Sequence, residues 1–283
     1  IGKQGIKTGL AGIEINTSGK FSPDWLTDYA KAFHWQGIAA LAFFRGSLFV
    51  QQIRLEQKSF PFFELTGEPG AGKSTILEFL WKCLGRDEYE GFDLLKATQA
   101  GRRRAFSQVS NLPVVIIESD RDGEKDAKQR QFGFDEMKPF FNGRGTGTLG
   151  VATRSNATEE HLFQGALLIA QNAEVDGSEA LLQRIVHCHA DKKHHTPGSR
   201  EIARWFERQR AEDVGGFLTA ALKAESAILD EYRKAFVEIE ARYSASEALR
   251  NERVIKNHAQ VAACGCALSV LFPVFDQKWR DGL

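Results

Sequence analysis

The sequence predicts an α/β protein with a mainly parallel sheet, and three observations carry that expectation. Short apolar runs rich in β-branched residues recur along the chain, separated by stretches of helical period. One run, Phe60 to Leu65, leads straight into a glycine-rich turn and then a helical stretch, the strand-turn-helix order of a parallel unit. Beyond Asp213 the pattern is helical throughout. An N-terminal segment (1–58, partly helical), a core (59–210) and a C-terminal helical subdomain (211–283) are expected from these shifts in character.

Taken in order, residues 1–20 are rich in Gly, Lys and Ser or Thr and read equally as strand or loop. A Ser-Pro start at Ser22 and mixed apolar spacing to about Gln57 predict helices packed ahead of the sheet. Phe60 to Leu65, bounded by Pro61 and Gly67, reads as a strand buried on both faces. Leu77, Phe79, Leu80, Cys83 and Leu84 predict a helix from Lys73 that Gly85 stops. Val114 to Ile117, Gly165 to Asn172 and the run from Arg184 to Ala190 supply three more strands. Leu218, Leu222, Leu229, Tyr232, Phe236 and Ile239 mark one face of a long helix, and a second is expected from about Glu247 to Leu271. This helical tail reads either as a lid over the core or as a bundle of its own.

The chain has 283 residues and 42% hydrophobic content, enough for a sizeable core. Thirty-seven Lys and Arg balance 37 Asp and Glu, so no global field draws it to nucleic acid, and any such contact is local. Seven cations against three acids between Arg184 and Arg210 form one basic stretch, read as a solvated face or as a local contact. Charges interrupt every apolar stretch before the roughly 18 residues a spanning helix needs, so no membrane is expected. No basic segment followed by an apolar one opens the chain, so no signal peptide is expected. Cys83, Cys188, Cys264 and Cys266 are too scattered for a disulfide framework, which fits a reducing cytoplasm.

Gly67-x-x-x-x-Gly72-Lys73-Ser74 fits the phosphate-loop pattern between a strand and a helix, where that pattern works. Residues Gly67, Glu68, Pro69, Gly70, Ala71, Gly72, Lys73, Ser74 and Thr75 are the candidate nucleotide cradle. Glycines let backbone N–H groups converge on phosphate oxygens, and the helix N-terminus adds a positive dipole end. Lys73 would neutralise the β and γ oxygens and the Ser74 hydroxyl would ligate magnesium, which makes ATP and Mg2+ the expected ligands.

Hydrolysis also needs groups that hold the metal and activate water. The run ending "VVIIESD" puts Glu118 and Asp120 at a strand tip, with Glu118 as the main acidic and metal-holding group and Asp120 its partner. The usual ending is Asp-Glu, and the division of labour between these two stays open. Asn172, at the end of the next strand, is placed to hydrogen-bond a γ-phosphate or attacking water. Arg184 follows twelve residues later, after a short helical stretch, where it would reach a nucleotide held by a neighbouring subunit.

The series Gly67 to Thr75, Glu118, Asn172 and Arg184 resembles the AAA+ ATPase core of superfamily 3 helicases, the hexameric motors of viruses, phages and mobile elements. The resemblance covers about Phe60 to Ala190. It implies a P-loop AAA+ core and an ATP-dependent DNA helicase or translocase of the replicative primase-helicase type. Further implications are a ring of copies, single-stranded DNA as partner and a primase region upstream. The family carries a DNA-gripping hairpin between the acidic and sensor strands. Here that interval, Phe134 to Asn156, offers Lys138, Arg144 and Arg154 to phosphates, and Phe140 and Phe141 either to bases or to the core. Two functions of other classes remain: a nucleotide-driven switch or assembly platform, and a small-molecule kinase.

His187, Cys188, His189, His194 and His195 crowd nine residues, yet two histidines on one strand face make no closed zinc site. Cys264 and Cys266 sit among Ala and Gly, which suits close helix packing. Gly101 to Arg104 reads as a solvated basic helix start or a contact to a neighbour or nucleic acid.

Overall fold

The computed structural model describes residues 15–94, 97–117, 133–145, 148–150, 158–193, 195–275 and 279. Two helices come first, α1 (Leu26–Ser47) and α2 (Val50–Gln57), then β1 (Phe62–Gly67) and α3 (Lys73–Cys83). A short β2 (Phe92–Asp93), α4 (Gln99–Ser107) and β3 (Ser110–Ile117) follow. A 3-10 helix, Phe134–Asn142, precedes β4 (Thr148–Gly150), β5 (Thr158–Glu160) and β6 (Gln164–Ala170). One turn of helix, α5 (Glu179–Leu182), leads into β7 (Ile185–Ala190) and α6 (Pro197–Arg208). The rest is helical: α7 (Ala211–Val214), α8 (Gly216–Lys223), α9 (Glu225–Ser244), α10 (Glu252–Cys266) and a 3-10 turn, Ala267–Val270.

Five strands form one sheet in the order β2-β3-β6-β1-β7, and every pairing is parallel. Successive side chains alternate between its faces, as the period of two demands. Phe63 and Leu65 of β1 join a large helical core with α1, α3, α6, α9 and α10, while Phe62 joins a smaller one. That smaller core packs Leu167, Ile169 and Ile185 against the rings of Phe106, Phe140 and Phe163. Burial on both faces explains why the strands read as unbroken apolar runs. β3 slips register between Ser110 and Pro113, where proline has no N–H to give the ladder.

The larger core is aromatic at its centre. Trp25, Phe79, Phe206 and Phe272 meet edge-on around one another, with Trp25 to Phe272 at 5.0 Å and Phe79 to Phe206 at 4.7 Å. Such rings favour edge-to-face contact because their faces are negative and their edges positive. Arg45 of α1, fully buried, donates to the Cys264 carbonyl and so ties α1 to α10. Cys264 and Cys266 are buried on α10, and all four cysteines are free.

Three local differences from expectation have physical causes. The long helix through Leu218 and Ile239 is two helices meeting at Ala224, whose φ of −95° and ψ of 13° break the phase. Leu222 is therefore exposed, whereas Leu229, Tyr232, Phe236 and Ile239 stay buried. α10 starts at Glu252 rather than near Glu247 because the Asn251 side chain accepts from the N–H groups of Arg253 and Val254. Phe140 and Phe141 belong to the core: Phe140 stacks on Phe163 at 4.2 Å and both are buried, so neither is placed to stack on a base. Residues 15–20 form neither strand nor helix, and the rest of that N-terminal stretch lies outside the described residues.

Candidate phosphate site

β1 and α3 are joined by the turn Glu68 to Gly72, and its backbone dictates its glycines. Gly67 has φ 145°, and a Cβ there would lie 2.0 Å from the Ala190 carbonyl oxygen of β7. Gly72, the residue before α3, has φ 90°. Only glycine adopts these angles without strain, and the result is a loop that wraps around the N-terminus of α3. Lys73, first in that helix, turns its ammonium back into the loop. Its Nζ donates to Gly67 O at 2.5 Å and to Glu68 O at 3.2 Å. It also donates to the Asn172 amide oxygen at 3.1 Å, which brings two sequence-predicted residues into contact across two strands.

The loop opens onto a cleft of about 1450 Å³. Pro69, Gly70, Gly72, Lys73, Ser74 and Thr75 form its floor, and Gln171 and Asn172 one wall. Phe33 closes another side, 3.6 Å from where a Gly72 Cβ would stand; it sits beside a kink in α1 at His34, whose φ is 51°. Ile117, the last described residue of β3, also lines the cleft. Glu118 and Asp120, the next acidic residues, lie outside the described residues.

The structure gives the basic stretch a location that spacing alone did not. Lys192, Arg200 and Arg204 line the cleft together with the N-terminus of α6. That helix begins with a capping box, Thr196 with Ser199, so its first turn is well formed and its positive end meets the same space. Two helix N-termini and four cations surrounding one cleft suit a polyanion. Glu90, Asp93 and Glu207 add acidic groups to the wall, and Thr75 donates to Glu207 at 3.1 Å. The donors fit a triphosphate, and the exposed Ser74 hydroxyl fits an oxygen-liganded cation such as magnesium.

Glu64 escaped sequence reading altogether, hidden in an apolar run. It sits mid-strand in β1 with only 3% of its surface exposed. One carboxylate oxygen accepts from the Val175 N–H at 2.5 Å and the Gln171 amide at 3.3 Å; the other takes the His187 Nδ1–H at 2.8 Å. His187 Nε2 lies 3.3 Å from the Thr66 hydroxyl, which in turn lies 3.2 Å from His189 Nδ1. His187 and His189 thus share one face of β7, as spacing predicted. Among the described residues, no group of three or more His, Cys, Asp or Glu is arranged to hold a metal. The signal that marks Glu64 in the sequence is a lone carboxylate inside the apolar run Phe60 to Leu65.

Arg184 occupies the opposite end of the sheet. It precedes β7, whose Ile185 pairs with Phe62 and whose Ala190 pairs with Gly67. Six strand residues at about 3.3 Å each put its backbone roughly 20 Å from the loop of its own chain. Its guanidinium lies 5.3 Å from the Phe141 ring and donates to the Ala180 carbonyl. Burial first, and then the charge of Arg253, lower its pKa from the ordinary arginine value. α10 braces the same turn: Asn257, fully buried, donates to Gln183 O at 2.8 Å, and Arg253 donates to the Gln183 side chain at 3.0 Å.

The candidate nucleic-acid residues are spread. Lys138 is held within the 3-10 helix, 3.1 Å from Asp135, and reaches toward Ser178, the cap of α5. Arg144 is exposed just before β4, which pairs antiparallel with β5. Arg154 lies outside the described residues. In the basic run Gly101 to Arg104, Arg102 folds back onto the Leu94 carbonyl at 2.8 Å. No described helix is long and apolar enough to cross a membrane.

No protein-family model and no curated protein matches the chain. Among solved structures it is similar to "SCCmec type IV Cch - active helicase", with a TM-score of 0.62 and 16% identity. The match covers 91% of this chain and 48% of that one, so the chain spans about half its length. It is also similar to a JCV helicase (TM-score 0.35, 14% identity, 86% of this chain and 66% of that one). A third is the apo NrS-1 C-terminal region (TM-score 0.34, 13% identity, 88% and 65%). The first likeness shows a shared fold: the five-stranded parallel sheet and the helices around it are arranged as in that structure.

Proposed function

We propose that the chain is the ATP-hydrolysing motor of a DNA helicase or translocase, of the primase-helicase type, working as a ring of copies. The observation that carries this is the contact between Lys73 and Asn172, which gathers a phosphate-binding cation and a polar amide at the carboxyl ends of β1 and β6. A triphosphate would take over the contacts that Lys73 now makes with Gly67 and Glu68. The Asn172 amide, beside Lys73, has N–H donors suited to a γ-phosphate oxygen or an attacking water. Lys192, Arg200 and Arg204 would share the remaining negative charge.

In this reaction water adds to the γ-phosphorus, the bond to the bridging oxygen breaks, and ADP leaves with the electron pair. The water's proton passes to the acidic pair Glu118 and Asp120, which follow β3. Ser74 and Glu118 would hold Mg2+, which when bound neutralises charge on the β and γ oxygens. Arg184, too far from its own loop, supplies its guanidinium to the nucleotide of the next copy. Lys138, Arg144 and Arg154 are the candidates for contact with single-stranded DNA, and an upstream primase region would be the further partner.

The test is the ATPase rate with and without single-stranded DNA, together with the mass in solution with a nonhydrolysable ATP analogue. Ring assembly with DNA-stimulated turnover is expected. Hydrolysis with neither property would point to a switch, and transfer of phosphate to a small molecule would point to a kinase.

A further inference from the structure

A carboxylate buried in the middle of a central strand is unfavourable unless every lone pair finds a donor, so Glu64 demands a reason. An apolar residue would fill the same space beside Phe62 and Phe63 without that desolvation. What Glu64 does that no apolar residue can is fasten a turn. The chain leaving β6 runs from Gln171 to Val175, and both ends of that five-residue turn bond to the same carboxylate oxygen. Gln171 is also held by its backbone N–H on Leu65 O at 3.2 Å. Val175, 5% exposed, plugs into the smaller core. Asn172 lies between these anchors, and its amide oxygen is the one that meets Lys73. The second carboxylate oxygen is occupied by His187 of β7, which stops the Glu64 side chain from rotating away.

We infer that Glu64 is a positioning residue, whose buried carboxylate, locked by His187, fixes the Gln171 to Val175 turn so that Asn172 faces Lys73 and the phosphate in the cleft. This rests on the reading of the cleft as an ATP-hydrolysing site. Glu64 is buried and does not line the cleft; it acts through Asn172. Loss of the carboxylate leaves the buried Val175 N–H without its acceptor and lets the turn shift, which removes alignment at the γ-phosphate while leaving the loop and α3 to bind.

The experiment separates turnover from binding. Glu64→Leu is expected to lower kcat roughly 10- to 100-fold while the Kd for a fluorescent nonhydrolysable ATP analogue stays within about twofold. Glu64→Gln keeps an amide oxygen for Val175 and is expected to restore kcat to within about threefold of the unaltered chain. Where Glu64→Leu does not fold, His187→Ala on the half-exposed edge strand serves instead, with about a threefold loss of kcat and unchanged Kd. Unchanged kcat in Glu64→Leu, or in His187→Ala where it stands in, or a Kd that rises in step as kcat falls, would overturn the assignment. Lys73→Ala is the control: if it hydrolyses ATP normally, the reading of the cleft fails. If it is inactive while Glu64→Leu turns over normally, only the role of Glu64 fails.

Discussion

The two ends of the sheet are built to opposite rules. At the carboxyl end of β1 the backbone bends through positive φ at Gly67, Gly70 and Gly72, and Lys73, Asn172 and Ser74 border an open cleft. At the amino end the chain is packed: Arg184 lies against Phe141, Arg54 donates to Phe140 O and Phe163 O, and Asn257 clamps Gln183 from α10. One end offers donors to a ligand, and the other holds a guanidinium in place from behind. A single strand length separates them, so one copy of the chain cannot bring both to the same phosphate. In the proposed function Arg184 is therefore assigned to the loop of a second copy.

The largest expected effect breaks the carboxyl end. Lys73→Ala removes the cation at the centre of the loop, and ATP hydrolysis measured by phosphate release is expected to fall to background. Arg184→Ala breaks the amino end and is expected to lower kcat by roughly 10³-fold or more while equilibrium binding of ATP is retained. A substitution that belongs to neither end sharpens the contrast. Phe79→Ala empties a ring from the aromatic core beneath α3 and is expected to destabilise the fold by about 3–5 kcal/mol, read by chemical denaturation. The smallest effect lies at the mouth of the cleft: Thr196→Ala removes the cap of α6 and is expected to cost about 1 kcal/mol on the same measurement.

Particular residues show what a sequence can disclose here. The glycine turn between β1 and α3 was legible because its glycines and flanking elements are contiguous and each answers a local backbone requirement. The parallel sheet was legible because burial on both faces leaves apolar runs with no polar alternation. The pairing of Asn172 with Lys73 was anticipated only as a strand-end amide; its partner is 99 residues away and depends on β6 lying beside β1. The basic run after Arg184 left a solvated face and a local contact both open because charge counting has no direction; in the structure its exposed Lys192, Arg200 and Arg204 border the cleft beside the capped start of α6. Glu64 stayed hidden because its partners come from β7 and from the turn after β6. The break at Ala224 was missed because apolar spacing runs through it with a small phase error.

The claim on which the functional account turns is that a loop from one copy and Arg184 from another make one catalytic site. Mixing Lys73→Ala and Arg184→Ala proteins in equal amounts, each inactive alone, tests it through the ATPase rate of the mixture. Every junction that pairs an intact loop with an intact Arg184 is then unaltered, so the mixture is expected to recover a substantial part of the normal rate. A mixture that assembles with nucleotide yet hydrolyses no faster than the sum of its two components would contradict the account.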